Sequence, residues 1–297
     1  MRWDPSHESE DLIDRRGEQG PTQAGGGIGG LLFLIPWLMR SRFGRILLLV
    51  GALFFVGRAL LGGGLGGQRV ADHAAGSGPQ AETPEVHFVA FVLDDVQSSW
   101  QKEFAQRAAP YRHAKLVLFT DATQTGCGFG DAATGPFYCP EDERVYIDLG
   151  FFHELANKLG ARGQFAEAYV VAHEMGHHIQ KLLGITQRVD AMRHASGGAG
   201  ATGATSASVK LELQADCFAG IWAHSTQERS LLEAGDIDSA VNAAAAVGDD
   251  RLQRQATGRV SPESWTHGSS EERMRWFRRG YDTGSMSACD TFSANSL

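Results

Sequence analysis

The sequence predicts an α+β chain, mainly helical, with a small sheet and one apolar membrane segment ahead of the folded part. Three observations carry this. Helical apolar spacing dominates residues 151–280, short runs of Val, Leu and Phe precede it, and an arginine-flanked apolar stretch comes before both. With 297 residues, 42% hydrophobic and 21% charged, the chain has material for a sizeable core. A net charge of −8 argues against a nucleic-acid partner, which would call for a basic face.

Residues 1–30 are polar, then glycine-rich (Gly25, Gly26, Gly27, Gly29, Gly30), and read as a disordered leader. The apolar region 31–61 follows, split into 31–39 and 46–61 by Arg40, Arg42 and Arg45. The first piece is too short to span a bilayer and contains Pro36. The second approaches the roughly 20 residues of a span if Arg58 snorkels, so a transmembrane helix is expected at about 46–61. A long charged leader and the lack of a small-residue cleavage site favour a signal anchor over a cleaved signal peptide. The three arginines then put the N-terminus in the cytoplasm and the later residues outside. Residues 62–85, rich in Gly, Ala and Ser, are expected to be a flexible linker, and 86–297 the folded domain.

Within that domain, 87–93 reads as a strand and 100–109 as a helix. Further strands are expected at 115–119 and 145–149, separated by a glycine- and proline-bearing loop at 121–142. Helices are expected at 151–159, 165–183 (stopped by Gly184), 208–223, 228–247, 249–257 and 269–280, with a low-complexity loop at 195–207. The strand at 145–149 is a candidate sheet edge for pairing with an extended substrate, or else an ordinary core strand.

The chemistry is concentrated in the run from Val170 to His177, VVAHEMGH. His173 and His177 are four residues apart, close to one helical turn, so both imidazoles leave one face and can share one Zn2+. Glu174 is rotated about 100° from His173, where a carboxylate can serve as general base to the attacking water. The extended pattern HExxHxxGxxH is absent, because Gln180 and Leu183 occupy its Gly and His positions. A third ligand is expected from Leu211–Cys217, LELQADC, which supplies Glu212 and Asp216 on one helical face. Glu212 is assigned to the metal and Asp216 to fixing a ligand imidazole; His194, His224 and Asp216 itself remain alternatives for the third ligand. His178 points about 140° from His173 and reads as a surface or packing histidine.

The runs HEMGHHIQ, LELQADCFAG and HGSSEERMRWFRRGYD, taken in order, resemble the bacterial, membrane-anchored "putative neutral zinc metallopeptidase" family. The leader MRWDPSHESEDLIDRRG and the segment FYCPEDERVYIDLGFF are similar to that family too. The resemblance implies a zincin-like fold of the gluzincin type, His173, His177 and Glu212 as ligands, Glu174 as the catalytic residue, and a bacterial inner-membrane location with the domain periplasmic. A further likeness, to HtpX-type membrane peptidases, touches Thr266-His267-Gly268 and Arg273, with Gly268 where that group has proline. His267 is then a candidate to stabilise the oxyanion, the alternative being a helix-capping or surface residue at the start of 269–280; Arg273 reads equally as part of a solvated helix face.

Four cysteines with no CxxC pair argue against a zinc ribbon or thioredoxin-type motif. For a domain outside the membrane the simplest pairing is Cys127 with Cys139 and Cys217 with Cys289. The expected reaction is hydrolysis of a polypeptide substrate. The alternatives are a non-proteolytic, zinc-stabilised binding module and a hydrolase of a non-peptide amide.

Overall fold

The computed structural model describes residues 1–18, 83–195, 202–294 and 297. Its architecture is the mainly helical α+β arrangement with a small sheet. The expected transmembrane helix at 46–61 and most of the 62–85 linker lie outside the described residues. Among the described residues no helix is long and apolar enough to cross a membrane.

The first element corrects an expectation. Residues 1–18 are built into the fold, where a disordered leader was predicted. Strand β1 (Leu12–Asp14) pairs in parallel with β2 (Lys115–Phe119), in the register Leu12↔Leu116, Ile13↔Val117 and Asp14↔Leu118. The local composition is too polar to form a core of its own, so the order comes from distant partners. Asp11 accepts from Lys115 Nζ at 2.8 Å and Gln97 Nε2 at 2.9 Å, and Trp3 packs edge-on against Phe88 at 5.2 Å.

Helix α1 (Pro84–Gln106) replaces the expected strand at 87–93 and absorbs the expected helix at 100–109. The Val- and Phe-rich run suits either structure over seven residues. Over the longer span Val86, Val89, Leu93, Val96, Trp100 and Phe104 recur every three or four positions and are all buried. Pro84 and Glu85 in the first turn suit a helix start.

The sheet runs β1-β2-β6-β5, with β5 (Phe137–Cys139) antiparallel to β6 (Arg144–Asp148). β6 is therefore an interior strand, parallel to β2, with Val145, Tyr146 and Ile147 fully buried. The expectation of an edge at 145–149 gives way, and the terminal strand next to the helices is β5. The loop expected at 121–142 also holds a hairpin, β3 (Ala122–Thr125) with β4 (Gly128–Asp131). Cys127 is bonded to Cys139, tying that hairpin to β5.

Helices α2 (Gly150–Asn157), α3 (Gln164–Leu182), α4 (Ile185–Ala195), α5 (Ala207–Glu228), α6 (Asp236–Ala246), α7 (Asp249–Thr257) and α8 (Ser270–Thr283) complete the fold. α4 was not anticipated. α5 and α8 cross at glycines: a Cβ on Gly280 would lie 1.9 Å from the Cys217 carbonyl oxygen, and one on Gly220 would lie 2.1 Å from that of Phe277. The second disulfide joins Cys217 to Cys289, so both pairings follow the expected connectivity.

Candidate metal centre

α3 is buried along most of its length, and Gly176 explains how α5 comes so near. A Cβ there would meet Ala215 Cα and its carbonyl oxygen at 3.0 Å. Backbone-close packing of α3 on α5 sets the two histidines of one helix opposite the acidic pair of the other. His173 Nε2 lies 3.2 Å from Glu212 Oε2, and His177 Nε2 lies 3.4 Å from Glu212 Oε1.

These spacings bear on whether the residues suit a metal. Ligands held about 2.0–2.1 Å from a tetrahedral zinc are roughly 3.3 Å apart. The three donors lie within 4.8 Å of one another, and among the described residues this is the group of His, Cys, Asp and Glu that meets that condition. Each imidazole also has its Nδ1 engaged, which leaves Nε2 for the ion. His173 Nδ1–H donates to Asp216 at 2.9 Å, and His177 Nδ1–H donates to Gln180 Oε1 at 2.9 Å. The donor set of two imidazoles and a carboxylate is chemically suited to zinc.

Asp216 lies beside His173, where its spacing put it. It is fully buried and receives Arg273, with Nε to Oδ2 at 2.8 Å and Nη2 to Oδ1 at 2.9 Å, together with the Tyr169 hydroxyl. Arg273 is itself 3% exposed, so the solvated-face reading of this residue is corrected. Its helix carries charge on both sides, and only the packing of α8 on α5 selects which arginine enters the core. Burial alone would push the Asp216 carboxyl up; Arg273 and His173 outweigh it and hold the pKa below its usual value. Burial likewise pulls His173 down, but the Asp216 charge prevails and raises it to about 9 in the metal-free site. For Glu212 the upward push of burial is overcome by His177 and His173, leaving it well below the usual carboxylate range.

In the sequence Gln180 stands out only as a departure from the extended motif. It is buried and continues a chain of amides: Gln180 Nε2 donates to Gln214 Oε1 at 3.2 Å, and Gln214 Nε2 donates to the Cys289 carbonyl at 2.9 Å. The position i+3 from His177, with an amide side chain, was the available signal. His178 is fully buried. Its Nε2–H donates to the Arg112 carbonyl at 2.7 Å, and its Nδ1 accepts from the Tyr138 hydroxyl at 3.0 Å, which fastens β5 to α3.

A cleft of about 630 Å³ opens over His173, His177 and Glu212. Glu174 lines it beside them, and apolar groups from Phe137, Tyr138, Phe151, Val170 and Leu252 form much of the wall. His267 enters the same cleft with its side chain half exposed. Asp249, which the sequence did not single out, holds it there. Its Oδ2 accepts the backbone N–H groups of Thr266, His267 and Gly268 at 2.8, 2.7 and 3.0 Å, while Oδ1 lies 3.3 Å from His267 Nδ1. Gly268 has φ +89°, a conformation that the proline of the HtpX-type pattern could not adopt. The hydrogen bond to Asp249 raises the His267 pKa. His224 bonds the Tyr281 carbonyl instead, and neither it nor His194 joins the metal group.

Comparison with known proteins agrees with this picture. The family described as "Putative neutral zinc metallopeptidase" matches residues 1–292. "Uncharacterized protein YpfJ" of Escherichia coli (strain K12) is 42% identical over 300 residues, spanning 98% of this chain and 99% of that protein. "Uncharacterized protein Mb2605" of Mycobacterium bovis is 47% identical over 198 residues, covering 63% of this chain and 65% of its own length. No solved structure matches. On the span of that match and the near full-length likeness to YpfJ, the chain belongs to the putative neutral zinc metallopeptidase family.

Proposed function

We propose that the chain is a zinc-dependent endopeptidase with a zincin-like catalytic domain, held at a bacterial membrane by its apolar region 31–61. The observation that carries this is the convergence of His173, His177 and Glu212 at ligand spacing on the floor of a cleft that also contains Glu174. A bound zinc ion would supply Lewis acidity and lower the pKa of its water toward 7. Glu174 takes a proton from the attacking water and delivers it to the leaving amine. His267, oriented by Asp249, donates to the carbonyl oxygen as negative charge develops there.

The sheet edge offers a way to hold the substrate. β5 is the terminal strand, and Phe137 and Tyr138 line the cleft, so an extended polypeptide can add to it by backbone pairing. An endopeptidase is favoured because a strand-binding edge reads main chain and asks for no free terminus. Two disulfides support an oxidising, extracytoplasmic setting for the domain.

The test is hydrolysis of an unstructured protein by the purified full-length chain, with zinc content measured alongside. Wild type should carry one zinc per chain and cleave, and Glu174→Gln should keep the zinc while cleavage falls by about 10² or more. Zinc retained with no cleavage by either protein would replace the peptidase with a zinc-stabilised binding module. Cleavage confined to non-peptide amides would move the reaction to another substrate class.

A further inference from the structure

The apolar region 31–61 is usually the kind of feature that separates two compartments, and the expectation drawn from it places residues 1–30 inside and the catalytic domain outside. The fold constrains that arrangement. β1, α1 and β2 form a βαβ unit with parallel strands, and residues 19–82, including the apolar region, are inserted in its crossover. Both ends of the insertion therefore attach to one folded body.

The attachment is extensive. Arg15 N donates to Leu118 O at 2.8 Å, Leu116 N to Asp11 O at 2.8 Å and Arg2 N to Leu231 O at 2.7 Å. The Met1 ammonium is 3.0 Å from Asp236 and 3.2 Å from Glu233. His7 and Ser9 bind the two oxygens of Asp94 at 2.9 and 2.6 Å. Without β1, the apolar strand β2 would present an open edge. None of these contacts can be made through a hydrocarbon core about 30 Å thick.

We infer that residues 1–18 and the catalytic domain lie on the same side of the membrane. An N-terminus across the membrane from the domain is incompatible with the paired β1. This rests on the membrane association proposed above, though not on the peptidase chemistry.

Two variants of the full-length chain, each adding one free cysteine to the four that are disulfide-bonded, test it against the unlabelled parent, at exposed positions whose replacement leaves the core untouched: Glu8→Cys in the N-terminal segment and Lys102→Cys on α1. Spheroplasts are treated with a membrane-impermeant maleimide before and after lysis. The expected result is equal labelling of both sites before lysis. Labelling of Lys102→Cys before lysis, with Glu8→Cys reacting only after it, would overturn the inference. Reaction of both sites only after lysis would uphold the shared side while removing the extracytoplasmic setting. Recovery of wild-type chain in the soluble fraction of lysed cells, with none in the membrane fraction, would refute the membrane association itself.

Discussion

Arg273 meets Asp216 through two parallel hydrogen bonds, at 2.8 and 2.9 Å, and Asp216 in turn holds Nδ1 of His173 at 2.9 Å. A guanidinium on α8 thus fixes an imidazole on α3 through a carboxylate on α5. The arrangement solves a problem of burial. A bare carboxylate at this depth would tend to take up a proton, and a neutral Asp216 would no longer favour the Nδ1–H tautomer of His173. Arg273 keeps the acceptor charged, and His173 Nε2 stays turned toward Glu212.

Replacing Arg273 with Met should therefore cost about 3–5 kcal/mol of stability, because it leaves Asp216 buried without its countercharge. Denaturant unfolding of the metal-free protein measures this. Asp216→Asn should lower zinc affinity by about 10- to 100-fold, the usual scale for losing such a partner of a ligand histidine. Zinc affinity unchanged by Asp216→Asn would remove the residue from the metal site.

The amide chain from His177 predicts a second set of effects. Gln180→Leu removes the acceptor for His177 Nδ1–H and strands Gln214, so zinc affinity should fall by about 10-fold or more. Gln180→Glu keeps an acceptor and should recover much of that loss. Competition with a chromophoric chelator gives both numbers.

That chain ends at Cys289, so the Cys217–Cys289 bond should matter to the metal as well as to the fold. Opening a loop of sequence separation 72 should cost about 4 kcal/mol by loop entropy. The Cys217→Ser, Cys289→Ser double variant should melt earlier and bind zinc more weakly, since Gln214 loses a fixed carbonyl. Opening the Cys127–Cys139 bond, which touches neither glutamine, should lower stability while sparing zinc affinity.

The raised pKa of His173 gives a pH signature. In the metal-free protein this group contributes stability fully below its unfolded value near 6.5, and that contribution fades as pH rises through about 9. Zinc must displace the same proton, so its apparent affinity should climb with pH up to about 9 and then level off. Calorimetry in buffers of different ionisation enthalpy should detect proton release on zinc binding at pH 7.5 and much less at pH 10.

His267→Ala should lower kcat by about 10²-fold with zinc content unchanged, the scale of losing one oxyanion donor. Asp249→Ala frees three backbone N–H groups as well as the imidazole, so it should lower kcat and stability together. Equal loss of zinc in both variants would mean the turn supports the ligands and has no part in the reaction.

The sequence by itself determined whatever a single helix can encode. Residues four apart lie on one face of any α-helix, so His173 with His177, and Glu212 with Asp216, were legible as pairs before their partners were known. Cysteine spacing and the acidic balance were readable in the same way. The tertiary structure decided what depends on which distant segment arrives next. It buried Arg273 while Arg275, Arg278 and Arg279 of α8 stay exposed, made β5 the edge in place of β6, and brought the polar N-terminal segment into the sheet beside β2. It also turned Gln180 from a missing motif residue into the partner of His177. A short polar or β-branched run has nearly equal free energy in several conformations, and only the surface it packs against breaks the tie.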